Sequence, residues 1–145
     1  MKKIVPDENW CLGCKLCEVY CLTAHSKTKD IIKAYRKENP KPVSRMQVEE
    51  GKGFHIAVSC RHCEDGKCIK ACITGAMHRT PEGFTAVDKE RCIGCLTCVL
   101  ACPYGAIVRD TDERHTVSKC DLCIEAGEPQ CVKHCPNNAL KIEEV

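Results

Sequence analysis

The sequence predicts a small α+β fold of two nested modules, each built from short helices and β-hairpins. Three observations support this prediction. The chain has 145 residues and 16 cysteines, which fall into four groups of four. Segments with the composition of short strands and turns lie between the groups. Short apolar segments at residues 4–5 and 140–143 can pair as antiparallel edges, which would join the first group to the fourth and leave the other two inside.

The chain has few of the aromatic residues that usually fill a core of this size. It contains two Phe, one Trp and three Tyr, against 16 Cys. Cysteine at this density is typical of a disulfide-rich secreted domain or of a metalloprotein. The chain shows no signal-peptide pattern, no twin-arginine pair and no segment apolar enough to span a membrane. We therefore expect a cytoplasmic protein without membrane insertion, in which clustered cysteines bind metal.

The four cysteine groups are copies of one motif that ends in Cys-x3-Cys. They are Cys11-x2-Cys14-x2-Cys17-x3-Cys21, Cys60-x2-Cys63-x4-Cys68-x3-Cys72, Cys92-x2-Cys95-x2-Cys98-x3-Cys102 and Cys120-x2-Cys123-x7-Cys131-x3-Cys135. Three residues after the last cysteine, the later copies have Gly75, Gly105 and Asn138. We predict a left-handed backbone at these positions, because glycine and asparagine tolerate it. Ala24 occupies the same position in the first copy, so we expect the polypeptide to leave that motif differently.

This spacing indicates iron–sulfur chemistry. Two thiolates in Cys-x2-Cys reach one metal centre from a tight loop, and the third cysteine begins a short helix. The fourth lies one helical turn later and reaches a second centre. The third group, followed by Pro103, matches the bacterial ferredoxin run C-x2-C-x2-C-x3-C-P, whose fourth cysteine ligates a neighbouring cluster. We predict four [4Fe–4S] clusters; the alternative is a zinc-binding structural module, although zinc sites use paired knuckles without such a tail.

The segments between the motifs predict three hairpins and one further helix. The hairpins comprise residues 43–48 with 54–58, residues 76–79 with 84–87, and residues 106–109 with 116–118. The helix is predicted at residues 28–38, with Ile31, Ile32 and Tyr35 on one side. Pairing of the two ends then gives two ferredoxin-like modules, each wrapped round two clusters. The outer module comprises residues 1–42 plus 106–145, and the inner module comprises residues 43–105.

The motifs carry a family resemblance. The second motif, Cys60-Arg61-His62-Cys63 through Cys72-Ile73-Thr74-Gly75-Ala76, resembles that of the four-cluster iron–sulfur subunits of dimethyl sulfoxide reductase and formate dehydrogenase. The third motif, ending in Cys102-Pro103-Tyr104-Gly105-Ala106, is similar to theirs. The opening run from Cys11-Leu12-Gly13-Cys14 to Cys21 is more similar to the iron–sulfur partner of carbon monoxide dehydrogenase. The resemblance covers nearly the whole sequence.

The resemblance implies which cysteines share a cluster. Cluster 1 would be held by Cys11, Cys14, Cys17 and Cys135; cluster 2 by Cys120, Cys123, Cys131 and Cys21; cluster 3 by Cys60, Cys63, Cys68 and Cys102; and cluster 4 by Cys92, Cys95, Cys98 and Cys72. The sequence departs from the family pattern at Leu22 and Ile73, where proline is missing after the motif. These departures bear on the partner more than on the clusters.

The resemblance also implies a function in anaerobic metabolism. The protein would be a non-catalytic subunit that passes single electrons from a catalytic oxidoreductase to a downstream redox protein, or back. The opening run favours carbon monoxide dehydrogenase as the partner, with a hydrogenase or a flavin-dependent nicotinamide oxidoreductase as the acceptor. The alternative partner is a tungsten or molybdenum enzyme, such as an aldehyde oxidoreductase or formate dehydrogenase. With all 16 cysteines used as ligands, no Cys–His or paired-carboxylate constellation remains for catalysis.

The negative charge of the predicted clusters must be offset by the protein. Four oxidised clusters with their thiolates would shift the formal charge from +2 to about −6. We expect backbone dipoles and basic side chains near the motifs to offset this charge. The candidates are Lys15, Arg61, Lys67, Arg91 and Lys119. No basic stripe interleaved with aromatics indicates nucleic-acid binding.

Other side chains near the motifs have simpler interpretations. Trp10 and Tyr104 are expected to shield cluster edges by packing. His62 and His134 are expected to form hydrogen bonds or face solvent rather than bind metal, since four cysteines are available for each cluster. The charge-rich segment at residues 27–41 is expected to be a solvated surface, with docking of an acidic partner as the alternative.

Overall fold

The computed structural model describes residues 2–144 as short helices and small sheets. The helices are α1 (Leu16–Ala24), α2 (Ile31–Arg36), α3 (Lys67–Ala71), α4 (Thr97–Ala101) and α5 (Gln130–Lys133), with a 3-10 turn at Ile124–Ala126. The strands are β1 (Lys2–Pro6), β2 (Gln47–Gly51), β3 (Phe54–Val58), β4 (Met77–Arg79), β5 (Thr85–Val87), β6 (Ile107–Arg109), β7 (Val117–Lys119) and β8 (Leu140–Glu144). The predicted α+β class is confirmed.

The strands pair as the sequence predicted, in two-stranded antiparallel sheets. Among the described residues the sheets are β1–β8, β2–β3, β4–β5 and β6–β7. The first of these joins the two ends of the polypeptide, with Ile4 opposite Ile142 and Val5 opposite Lys141. The other three are the predicted hairpins. No helix in the described part of the protein is long and apolar enough to cross a membrane.

The first hairpin begins later and turns more tightly than predicted. Strand β2 starts at Gln47 instead of residue 43 and continues to Gly51, so that only Lys52 and Gly53 form the turn. The residues before β2 are held in another way. The Ser44 hydroxyl donates to the carbonyl oxygen of Met46 at 2.7 Å, and it accepts from the Met46 backbone N–H at 3.2 Å. This local turn removes residues 44–46 from strand pairing.

Helix α2 is shorter than the predicted segment 28–38. The Asp30 carboxylate accepts a hydrogen bond from the Lys33 backbone N–H at 2.8 Å, which fixes the start of the helix. Ala34 is fully buried, whereas Ile31, Ile32 and Tyr35 are all substantially exposed. The helix therefore packs through its small residue and leaves its apolar side open.

Two apolar cores lie among the cysteines. One includes Ile4, Met46, Ala57 and Leu140, and it is continuous with cysteines of the first, second and fourth motifs. The other includes Met77, Ile107 and Val117 with cysteines of the second and third motifs. Helix α1 contacts α5, and α3 contacts α4, which pairs the first motif with the fourth and the second with the third. The modules at residues 1–42 plus 106–145 and 43–105 stay a prediction, because Met46, Ala57 and Ile107 pack across those boundaries.

Candidate metal centres

Each cysteine motif combines one loop and one short helix in the same way. The helices α1, α3, α4 and α5 each begin one residue before the third cysteine of a motif. In each loop, the second residue after the first cysteine has a left-handed backbone. These residues are Gly13 (φ 66°), His62 (φ 48°), Gly94 (φ 70°) and Leu122 (φ 59°). Two of these positions turn a backbone N–H toward sulfur: His62 donates to Cys60 Sγ at 3.4 Å and Leu122 to Cys120 Sγ at 3.5 Å.

The end of the motif repeats as predicted. Gly75, Gly105 and Asn138 have φ angles of 69°, 59° and 51°, so the left-handed position is confirmed in all three copies. Beyond this turn the backbone bends back over the last cysteine. The Met77 N–H donates to Cys72 Sγ at 3.4 Å, and the Ala139 N–H donates to Cys135 Sγ at 3.3 Å. Such N–H···S hydrogen bonds stabilise a thiolate and tune the potential of a cluster that it ligates.

The first motif ends differently, as expected from Ala24. Its helix α1 runs past Cys21 to Ala24, whereas α3 and α4 end before the last cysteine of their motifs. The N–H group that approaches Cys21 Sγ comes from Arg45, at 3.3 Å. A segment distant in sequence thus replaces the local turn found in the other copies.

Three similar cavities are each lined by four cysteines. Counting the space open to solvent at their mouths, they enclose about 400, 330 and 360 Å³. In order, the cysteines that line them are Cys11, Cys14, Cys17 and Cys135; Cys72, Cys92, Cys95 and Cys98; and Cys60, Cys63, Cys68 and Cys102. Each set combines three cysteines of one motif with the last cysteine of another. Trp10 lines the first cavity and Tyr104 the last, and their shielding of cluster edges stays a prediction.

The four remaining cysteines are all buried and close together. They are Cys21, Cys120, Cys123 and Cys131. Burial raises the pKa of Cys131, and the neighbouring Cys120, Cys21 and Cys123 raise it further because thiolates repel one another. Burial also raises the pKa of Cys120 to about 12. The thiols of Cys120 and Cys131 therefore need a compensating cation to release their protons near neutral pH, and a metal centre provides that cation.

The residues therefore fit iron–sulfur clusters. Cysteine thiolates are the ligands that such clusters use, and the three cavities of similar size suit three copies of one group. The side-chain Nε2 of His62 is buried without a hydrogen-bond partner among the described residues. Its Nδ1 accepts from the Thr85 N–H at 3.2 Å, so Nε2 carries the proton of the neutral ring and is free to donate to sulfur.

A network beside Cys21 was missed by the sequence analysis. His25 Nε2 lies 3.0 Å from Asp121 Oδ1, and Arg45 donates to Asp121 Oδ2 at 2.7 Å. His25 Nδ1 lies 3.8 Å from Cys21 Sγ and 2.8 Å from the Cys21 carbonyl oxygen. His25 follows Cys21 by one helical turn, and Asp121 directly follows Cys120. Their positions next to the motifs were the only sequence feature that could have indicated this network. Arg45 lies between the first and second motifs, and nothing in the sequence indicated that it would join the network.

The predicted charge-offsetting side chains have different surroundings. Lys15 pairs with Glu50 at 3.8 Å, Arg61 lies 4.4 Å from the ring centroid of Tyr104, and Arg91 donates to the Thr74 carbonyl at 3.0 Å. Lys67 lines the cavity of Cys60 and its three companions. Lys119 is buried. The Nδ1 of His134 lies 2.9 Å from the Gln130 carbonyl oxygen, a hydrogen-bond contact of the predicted kind, and its ring stacks on Tyr20 with centroids 3.7 Å apart.

Comparison with known proteins gives consistent matches. Residues 52–145 match the model of a family described as "4Fe-4S dicluster domain". The electron transport protein HydN of Escherichia coli K12 is 38% identical over 152 residues, covering 94% of this chain and 85% of HydN. One subunit of the anaerobic dimethyl sulfoxide reductase of the same strain is 37% identical over 144 residues, covering 92% of this chain and 69% of that subunit.

A solved structure shares the fold. One protein of the active site complex BamBC of benzoyl coenzyme A reductase superposes with a TM-score of 0.54 at 24% identity. The match covers 99% of this chain and 76% of that one. At this identity the likeness concerns the fold alone.

Proposed function

This chain is a member of the 4Fe-4S dicluster domain family of ferredoxin-type electron-transfer subunits, and on this premise we propose that it relays single electrons through four [4Fe–4S] clusters. One observation carries the proposal. In each of three cavities, three cysteines of one motif lie beside the last cysteine of another, and the four cysteines that remain divide between motifs in the same way. In zinc knuckles the ligands come from paired Cys-x2-Cys units, without a cysteine contributed by a neighbouring motif. In bacterial ferredoxins the fourth cysteine of one motif ligates the cluster of the other motif.

The proposed ligands follow the quartets. Cluster 1 takes Cys11, Cys14, Cys17 and Cys135; cluster 2 takes Cys120, Cys123, Cys131 and Cys21; cluster 3 takes Cys60, Cys63, Cys68 and Cys102; cluster 4 takes Cys92, Cys95, Cys98 and Cys72. The exchange pairs cluster 1 with cluster 2 and cluster 3 with cluster 4, which supports the two nested modules. Cys120 and Cys60 lie within electrostatic range of each other, so clusters 2 and 3 connect the pairs.

The protein's own groups would determine how electrons move. When bound, each cluster accepts and releases one electron. The protein would hold the clusters at fixed spacing; it buries eight of the sixteen cysteines and donates backbone hydrogen bonds to several of the sulfurs. Among the 16 cysteines only Cys14 and Cys95 are exposed, one in cluster 1 and one in cluster 4. These two clusters would be the points where electrons enter and leave.

The partner belongs to the same proposal. We favour a catalytic oxidoreductase, carbon monoxide dehydrogenase first on the likeness of the opening motif, in the reducing cytoplasm expected from the cysteine content. The similarity to a subunit of dimethyl sulfoxide reductase supports a second candidate, a molybdenum or tungsten enzyme. Anaerobic affinity purification of the tagged protein from its own host distinguishes them. Nickel in the captured partner supports the first candidate, and molybdenum or tungsten supports the second.

Electron counting tests the relay itself. The reduced protein would be titrated with ferricyanide under argon while its visible absorption is followed. We expect about four electrons per chain, one for each cluster. A protein that neither takes up nor releases electrons would contradict the proposal and favour a zinc-binding structural module.

A further inference from the structure

Lys119 is a basic side chain in the interior of the molecule. It is the last residue of β7 and directly precedes Cys120, and only 3% of its surface is exposed. A buried ammonium group loses its hydration, which is costly unless hydrogen bonds and opposite charge replace the water. The position of Lys119 therefore calls for partners in the interior.

The hydrogen bonds of Lys119 connect two motifs. Its Nζ donates to the carbonyl oxygen of Thr85 and, at 2.9 Å, to that of Cys120. Thr85 begins β5, and its backbone N–H donates to His62 Nδ1 at 3.2 Å. His62 lies between Cys60 and Cys63 in the second motif. The Lys119 ammonium is thus held between the start of the fourth motif and the loop of the second.

The charge of Lys119 acts on sulfurs of both motifs. The ammonium group lies within electrostatic range of the Cys120 sulfur in the fourth motif and of the Cys68 sulfur in the second. The Nδ1 of His62 accepts the Thr85 N–H and therefore carries no proton. His62 is therefore neutral and adds no positive charge of its own. Asp121, the acidic residue next to Cys120, is already paired with His25 and Arg45.

We infer that Lys119 is a positioning residue of the relay, a fixed charge shared by clusters 2 and 3 that raises the redox potential of both. The inference rests on the proposed function. A cluster gains one negative charge when it accepts an electron, and a nearby positive charge in a medium of low dielectric constant stabilises that reduced form. Because Lys119 lies beside cysteines of both sets, its charge would stabilise an added electron on either cluster.

Redox titration of the whole protein, followed by electron paramagnetic resonance, tests the inference. The Lys119→Gln variant keeps a hydrogen-bond donor but loses the charge, and we expect two of the four cluster potentials to shift lower. The Lys119→Arg variant keeps the charge and should return both toward the wild-type values. Lys141→Gln, which removes an exposed lysine on β8, is the matched control and should shift none. Unchanged potentials in iron-loaded Lys119→Gln, or equal shifts of all four clusters, would overturn the inference.

Iron and acid-labile sulfide, measured first on every variant, separate a redox effect from a folding effect. If Lys119→Gln loses iron while Lys119→Arg retains it, the charge is needed to balance the clusters and the inference is supported. If both variants lose all clusters, Lys119 is needed only for packing and the inference fails. Wild-type protein without iron and sulfide would instead remove the proposed function, which is a different failure from an unshifted potential in loaded protein.

Discussion

Single residues in the cysteine loops combine backbone conformation with sulfur chemistry. The left-handed position in the Cys-x2-Cys loop is glycine at Gly13 and Gly94, but His62 and Leu122 occupy it in the other copies. The conformation therefore belongs to the loop and not to one residue type. At Gly94 a second restriction applies, because an added Cβ would lie 2.7 Å from the carbonyl oxygen of His115. At Gly105, also left-handed, a Cβ would meet open space.

These two glycines form a matched pair of variants. Gly105→Ala should cost about 1 kcal/mol, since only the left-handed conformation is penalised. Gly94→Ala should cost at least roughly 2 kcal/mol, because the backbone around His115 must also move. The rate at which visible absorption is lost on heating, measured anaerobically, reports the difference as resistance to unfolding. Equal rates in the two variants would contradict the close approach at Gly94.

The proposed exchange of ligands between motifs can be tested at single cysteines. Cys98 and Cys102 stand four residues apart in one motif, yet we assign Cys98 to cluster 4 and Cys102 to cluster 3. Cys98→Ala and Cys102→Ala should therefore each impair one cluster, with up to about four fewer iron atoms per chain. The two variants should lose different paramagnetic signals. Loss of the same signal in both would refute the exchange.

Between elements, the network of His25, Asp121 and Arg45 ties the end of α1 to the fourth motif and to the segment before β2. Burial opposes the charged form of His25, but hydrogen bonds to Asp121 and to Cys21 outweigh it and raise the pKa of His25 to about 9, from its ordinary value of 6.5. Burial raises the pKa of Asp121, but the hydrogen bond and charge of His25, together with Arg45, hold it well below its usual range. Both groups are therefore charged near neutral pH.

This network predicts a pH dependence of stability. Since the pKa of His25 is higher in the folded state, its contribution is fully present below pH 6.5 and is lost as pH rises through about 9. The contribution of Asp121 has the opposite sign and is lost only in acid. His25→Gln should bleach faster than wild type at pH 6, and the difference should shrink toward pH 10.

The heat-bleaching rate from pH 6 to pH 10 measures this dependence. His78→Gln alters an exposed histidine on β4 and should keep the wild-type profile. Wild-type and His25→Gln profiles that stay parallel across this range would contradict the pH-dependent contribution of His25.

Local elements were predictable where composition and spacing determine them. The three hairpins, the pairing of Ile4 with the C-terminal strand and the turn at Asn138 all followed from alternation, turn residues and the repeat. The predicted start of β2 was wrong by four residues. The Ser44 side chain forms hydrogen bonds with the backbone of Met46, and no pattern of residues predicts those bonds. The inward position of Ala34 on α2 was also missed, since packing of a small residue leaves no periodic apolar signal.

At the scale of the whole molecule, β1 and β8 close the polypeptide on itself. Ile4 and Leu140 on these strands are buried in the core that contains cysteines of the first and fourth motifs. Ile142, two residues further along β8, is 43% exposed. The strand pair therefore contacts the core through Ile4 and Leu140, and these two side chains connect β1 and β8 to the cysteines of the first and fourth motifs.

A second matched pair tests this closure. Leu140→Ala should cost about 2–5 kcal/mol, because it leaves a cavity in the core. Ile142→Ala should cost less than about 1 kcal/mol, since its side chain is half exposed. Heat bleaching is again the measurement. Equal sensitivity of both positions would mean that the terminal sheet does not support the core.

The cysteines that line the three cavities were the most predictable feature of the molecule, and the surroundings of the centres were the least; the ligand sets themselves stay a proposal. Motif spacing together with family resemblance suggested the four quartets. The inward direction of Lys119 and the contact between His25 and Asp121 depend on how distant loops pack against one another. The spacing of the motifs along the sequence does not predict that packing.

The measurement that tests the central claim most directly is the content of iron, acid-labile sulfide and zinc per chain. The protein would be purified anaerobically from its own host, and its visible spectrum recorded before and after dithionite. We predict about sixteen iron and sixteen sulfide per chain, with absorption that bleaches on reduction. About four zinc per chain and no sulfide would contradict the account and make this protein a structural metal module.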